Sequence, residues 1–311
     1  MCGIVGYIGK KEKKTFLLNG LKELEYRGYD SAGIAVLHQN EINYFKAAGK
    51  LDNLINKTKD FSSNGFGLGI AHTRWATHGK PTEINAHPHW GAYSLVIHNG
   101  IIENYMEIKK ELQEDGVEFL SQTDTEIIVH LFEKFIALDF EPHIAFEKTI
   151  QSLQGAYAIL LISKVAPDTI FFAKNAVPLI LGRNSESELF FGSSDAPLIG
   201  FAQEVSYLED GSYGWASEKE IALFLNAKKV QPNFKPLNTS KIYAQKDGYR
   251  FFMEKEIYEQ SSVVSETLMG RIKDDAVFLE ELVHYDFNAI DEIKICACGT
   301  SYHAALTASY L

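Results

Sequence analysis

The chain has 311 residues, 46% hydrophobic and 23% charged, a balance that excludes disorder over most of its length. Lys and Arg number 30 against 41 Asp and Glu, a formal net charge of −11, so no basic excess exists to grip nucleic acid. With three cysteines, no apolar run near the roughly 18 residues of a membrane helix, and no signal-peptide core, the reading is a soluble cytoplasmic protein. Its length predicts about two domains.

Residues 1–9 read as a strand closed by Gly9, with Ile4, Gly6 and Ile8 on one face and Val5 and Tyr7 on the other. Residues 15–26 place Leu17, Leu21 and Leu24 at helical spacing. Residues 31–37 and 42–47 read as a strand pair about His38, Gln39 and Asn40. The alternation over 67–73 and over 92–98 predicts two more strands, the second ending at His98-Asn99-Gly100. A helix is expected over 105–115, capped by Gly116, and another over 125–138, opened by a Thr123-x-x-Glu126 capping box. From 155 to about 226 short apolar runs with brief connections predict antiparallel strands. Residues 228–249, with Pro232 and Pro236, read as a connector; 253–268 read as a helix, and 293–297 as a short buried strand leading through Gly299 into a helix opened by Thr300 and Ser301.

Chemistry concentrates near the start. A small residue after Met1 permits removal of that methionine, leaving Cys2 with a free α-amino group. Such a group titrates near about 7.7, against about 10.4 for lysine, so it can act as a base at neutral pH. A terminal nucleophile carrying its own base is an established catalytic solution; a small apolar residue opening a strand is the plainer alternative. Arg74 can grip a carboxylate bidentately or make a surface ion pair. Asn99 and Gly100 can aim two N–H groups at an oxyanion or form an ordinary turn. Asp124 can meet a substrate ammonium or serve only as a charge at a helix start. The clustered His72, His78, His87, His89 and His98 raise a metal site as a competing idea, with His87-Pro88-His89 as its core, disfavoured because no second cysteine or carboxylate cluster shows ligand spacing; no metal and no cofactor are expected.

Six motifs occur in order: MCGIVG (1–6), EYRGYDSAGIAV (25–36), HTRWATHG (72–79), NAHPH (85–89), HNGIIENY (98–105) and SQTDTE (121–126). With them the sequence resembles the class II glutamine amidotransferases over residues 2 to about 240. The resemblance implies an α+β fold, the four-layer αββα N-terminal-nucleophile hydrolase sandwich. It also implies Cys2 as nucleophile with its α-amino group as base, and Asn99 and Gly100 as the oxyanion hole. Arg74, Thr77, His78 and Asp124 would bind glutamine, with Trp75 on a loop over the site.

The EYRGYDSAG and HTRWATHG blocks look like the branch that transfers ammonia to fructose 6-phosphate, giving glucosamine 6-phosphate. FMEKEIYEQ (252–260) and ICACGTSYHAA (295–305) resemble that branch's linker helix and the opening of its sugar isomerase domain. There Thr300 and Ser301 at a helix N-terminus would receive a sugar phosphate; Cys296 and Cys298 would be buried core thiols. The expected organisation is a glutaminase domain over 2–240, a linker with helix over 241–290, and the incomplete start of an isomerase domain over 291–311. Partners implied are glutamine, fructose 6-phosphate in a complete chain, and a second copy through the missing isomerase half; neither nucleic acid nor a membrane is expected. A glutaminase serving another acceptor and a non-catalytic binding paralogue are the alternatives.

Overall fold

Every residue of β1 (Gly3–Gly9) is buried, which a strand achieves only when both of its faces are covered. Ile4 and Ile8 point into one apolar core and Val5 and Tyr7 into a second, the alternation expected of a central strand. The computed structural model describes residues 2–75, 80–237, 249, 252–268, 272–273, 276–277, 286, 289–297 and 299–310. They fall into two units, Met1–Gln245 and Lys246–Leu311.

In the first unit, β1 is followed by α1 (Lys13–Glu23), β2 (Ser31–His38), β3 (Glu41–Ala48), α2 (Leu51–Lys57), β4 (Gly67–Arg74), β5 (His89–Trp90) and β6 (Ser94–Ile102). Three helices come next: α3 (Tyr105–Glu114), α4 (Glu126–Ala137) and α5 (Pro142–Ser152). The strands β7 (Gly155–Ser163), β8 (Ala166–Asn175), β9 (Ile180–Arg183), β10 (Leu189–Gly192), β11 (Glu204–Tyr207), β12 (Ser212–Ala216), β13 (Ile221–Leu225), β14 (Lys228–Val230) and β15 (Lys235–Pro236) complete it. They form one sheet in the order β15-β11-β9-β10-β1-β4-β2-β3 and another in the order β14-β13-β12-β8-β7-β6-β5, each antiparallel throughout.

Three cores separate four layers. Ile4, Ile70 and Leu181 of the first sheet meet Ile97, Leu160 and Phe172 of the second. Phe16, Leu17 and Leu21 of α1 and Leu51 and Leu54 of α2 cover the other face of the first sheet. Ile108 of α3, Ile128 and Phe132 of α4 and Phe146 of α5 cover the other face of the second. This is the αββα sandwich that the motifs imply.

Several local expectations change. β6 runs through His98, Asn99 and Gly100 to Ile102, pairing Asn99 with Ala158 and Gly100 with Tyr157, so the Asn-Gly pair is strand and not turn. The capping box does not form: Thr125 stands at the N-cap of α4 with no side-chain cap bond, and the Glu126 carboxylate instead accepts the N–H groups of Leu120 and Ser121 at 2.8 and 2.6 Å. Residues 228–237 contribute two short strands, β14 and β15, rather than pure connector; Pro236 is tolerated because β15 lies at a sheet edge. The helices α2 and α5 were not apparent in the residue pattern.

In the second unit, α6 (Phe252–Leu268) and α7 (Gly299–Ala308) are helical, and β16 (Ile272–Lys273) pairs with β17 (Ala276–Val277). The strand expected at 293–297 is absent: these residues have no regular structure, Ile293 is 75% exposed, and Cys296 is an exposed free thiol rather than a core residue. A buried strand requires neighbours on both edges, and among the described residues none pairs with this segment. Cys298 lies outside the described residues. Thr300 and Ser301 occupy the first turn of α7, both exposed.

Candidate active site

β1 and β4 pair with Gly3 opposite Thr73, which brings Cys2 alongside Arg74 and Trp75. The half-buried Cys2 Sγ accepts the Trp75 N–H at 3.2 Å and lies 3.7 Å from the Trp75 carbonyl. Burial pushes the Cys2 thiol up from its ordinary pKa, while the Trp75 N–H and the Arg74 charge pull it back. Without a base the thiol therefore stays protonated at neutral pH, and a nearby base is what nucleophilic attack requires.

The facing sheet supplies the second wall. Asn99 of β6, 5% exposed, donates from Nδ2 to the Cys2 carbonyl at 3.3 Å. Gly100 follows with φ +126°, in the region that favours glycine, and an added Cβ would lie 1.9 Å from the Ala156 carbonyl of β7. Asp124, also buried, accepts the Ile102 N–H at 2.8 Å, which fixes its carboxylate just before α4. The buried Arg74 guanidinium reaches the Lys80 carbonyl at 3.4 Å; burial lowers its pKa, and the charges of Asp30, Cys2 and Asp124 oppose that shift. Cys2, Arg74, Trp75, Asn99, Gly100 and Asp124 thus come together from 97 residues of separation or more between the cysteine and the β6 pair. Thr77 and His78 lie outside the described residues. Thr300 and Ser301 belong to the second unit and are not part of this cluster.

The glycine-bearing block 25–33 has a specific use. Gly28 adopts φ +75°, and a Cβ there would fall 2.4 Å from the Trp75 ring, so glycine is required for the half-exposed indole to lie against this turn. Asp30 N–H donates to the Arg74 carbonyl at 2.8 Å, tying the same block to the end of β4.

Behind the site lies a buried histidine array that residue spacing did not assign. The rings of His72 and His87 stand 4.0 Å apart, and those of His87 and His89 4.8 Å. His87 Nε2 and His98 Nδ1 meet the Thr125 hydroxyl at 2.9 and 3.0 Å, and His89 Nε2 meets that of Thr123 at 3.0 Å. His72 Nε2 meets Asn99 Oδ1 at 2.8 Å. Burial drives all four histidines down, His72 to about 3, so they stand neutral. Among the described residues no group of three or more His, Cys, Asp or Glu side chains is disposed to hold a metal ion. The sequence signal was present in β4: His72 follows Leu68 and Ile70 on one strand face, placing an imidazole where the inter-sheet core ends.

Residues 77–199 match a family described as a glutamine amidotransferase domain. Along its full length the chain is 61% identical to a glutamine–fructose-6-phosphate aminotransferase (isomerizing) of Campylobacter jejuni and 48% identical to one of Helicobacter pylori. It spans about half of the length of these relatives, 52% and 51% respectively. Among solved structures, a glutamine phosphoribosylpyrophosphate amidotransferase from B. subtilis superposes with a TM-score of 0.63 at 22% identity, covering 72% of this chain and 49% of that one; the likeness concerns the fold. The two-sheet sandwich agrees with that fold, and the chain contains, over residues 77–199, a region that matches the glutamine amidotransferase domain.

Proposed function

We propose that this chain hydrolyses glutamine through Cys2. With Met1 removed, the Cys2 α-amino group takes the thiol proton and Sγ attacks the side-chain amide carbon of glutamine. The oxyanion that forms takes hydrogen bonds from Asn99 Nδ2 and the Gly100 N–H. Collapse breaks the C–N bond, and the proton held by the α-amino group leaves with the nitrogen as ammonia. Water then cleaves the γ-glutamyl thioester, releasing glutamate and restoring the thiol. Arg74 binds the α-carboxylate and Asp124 the α-ammonium, with Trp75, Thr77 and His78 completing the glutamine pocket.

The observation that carries this reading is that the Asn99 amide of β6 donates to the Cys2 carbonyl while the buried Arg74 guanidinium of β4 lies within electrostatic reach of both Cys2 and the Asp124 carboxylate. The activity for which the relatives are named extends it: the ammonia passes to fructose 6-phosphate, whose phosphate Thr300 and Ser301 help to bind. The protein works in the cytoplasm, and two copies associate. Glutamate release by the Met1-processed chain, measured beside Cys2→Ala, tests the central step. Loss of at least about 10³-fold is expected on removing a nucleophile; equal rates would overturn the assignment.

A further inference from the structure

We propose that His72 is a positioning residue for the Asn99 amide, fixing which end of that amide faces Cys2; the catalytic part of this inference rests on the glutaminase reading above. The two ends of an asparagine amide are nearly equal in shape and opposite in hydrogen bonding. With Nδ2 toward Cys2 the group donates to an oxyanion. Turned over, it presents a carbonyl oxygen and repels one.

Two contacts choose between these states. The Cys2 carbonyl is an acceptor only, so it selects Nδ2, but at 3.3 Å this bond is long. The shorter contact, 2.8 Å, joins Asn99 Oδ1 to His72 Nε2, which selects the same orientation if the imidazole proton sits on Nε2. His72 is 0% exposed on β4 of one sheet and Asn99 5% exposed on β6 of the other, so the bond spans the two sheets with little competition from water.

The imidazole has little freedom. Its ring lies 4.0 Å from that of His87, whose Nε2 is anchored on Thr125 at 2.9 Å; the same hydroxyl meets His98 Nδ1 at 3.0 Å. The charges that face it are Arg74 on its own strand and the neighbouring histidines His87 and His98, none of which favours an imidazolium there. A neutral donor is what these surroundings accept. Burial keeps His72 uncharged well below the usual histidine range. The amide is thereby set before glutamine arrives, and the enzyme avoids reorienting it as charge develops.

The test compares the parent, three His72 variants, Asn99→Ala and the His72→Leu/Asn99→Ala double variant in steady-state glutamine hydrolysis. A glutamine side chain can return an N–H to the place of the imidazole Nε2, whereas asparagine is too short. His72→Leu and His72→Asn should lower kcat about 10- to 100-fold with KM within about twofold, short of the roughly 10²–10³-fold cost of deleting an oxyanion donor. His72→Gln should recover most of the loss, and His72→Leu should add little to Asn99→Ala. If His72→Leu does not fold, the Gln and Asn variants decide: equal kcat in these two, like parental kcat in His72→Leu, overturns the proposal. A further readout needs no turnover. Nitrogen-15 shifts of the His72 ring should show the proton on Nε2, and a proton on Nδ1 overturns the proposal even if the chain lacks glutaminase activity. An inactive parent with Nε2–H would count against the glutaminase reading alone.

Discussion

Lowering the pH from 7 to 5 should destabilise the first unit by about 2 kcal/mol through His72 alone. The folded protein holds this buried imidazole at about 3, whereas an unfolded chain protonates it near 6.5. As pH falls through 6.5 the unfolded state takes up a proton that the folded state refuses, so stability is lost with acid and is fully present only above the unfolded value. At pH 5 the unfolded chain is favoured by about 1.5 pH units of linkage, each about 1.36 kcal/mol, which gives the stated figure. His87, His89 and His98 are shifted in the same direction and add to it. The carboxylates act in a different window: burial opposes the charge of Glu126, but the N–H groups of Leu120 and Ser121 and the His130 ring 3.5 Å away outweigh it and hold Glu126 at about 2, so its contribution begins to fall only below about 4.5. All three tryptophans of the chain, Trp75, Trp90 and Trp215, lie in the first unit, so fluorescence during urea unfolding reports on it. Measured at constant ionic strength, the parent should lose at least about 2 kcal/mol between the two pH values, and His72→Gln should lose about 2 kcal/mol less than the parent. An identical loss in both proteins would refute the buried neutral state of His72.

Two further substitutions probe the frame that holds the site. Gly100→Ala must place a Cβ 1.9 Å from the Ala156 backbone at φ +126°; it should cost at least about 3 kcal/mol, read as a lowered urea midpoint, and an unchanged midpoint would mean that β6 and β7 are not so closely paired. Phe172→Ala removes a fully buried ring whose centroid lies 5.4 Å from that of Phe191 in the facing sheet, so about 3–5 kcal/mol should be lost; a change under about 1 kcal/mol would contradict the inter-sheet core.

The elements that could be read from residue order are those with one strong period. β1, β4 and β7 alternate or run apolar because they are central and covered on both faces, and α4 shows its stripe because one side faces a sheet. What escaped recognition lacks such a period. α2 is a short helix burying only Leu51 and Leu54, and α5 is assembled from apolar residues interleaved with His143, Glu147 and Lys148. Glu126 looked like a capping residue because spacing cannot tell which of the nearby N–H groups a carboxylate will meet. In the fold it turns back to Leu120 and Ser121.

The candidate site divides along the same physical line. Cys2, Arg74, Asn99 and Asp124 were legible because their chemistry is exceptional in short ordered motifs, and each sits at or near an element's end, where side chains can face a cleft. His72 was not, because a histidine in an apolar strand has no meaning until its partner on another sheet is known. Asn99 lies 27 residues away, and only the stacking of two sheets makes their contact. A residue proposed to act on substrate can be picked out by its type, whereas one proposed to orient another can be picked out only by distance. That is why the buried histidine layer behind Asn99, with His87, His98 and Thr125, becomes visible only in the folded chain.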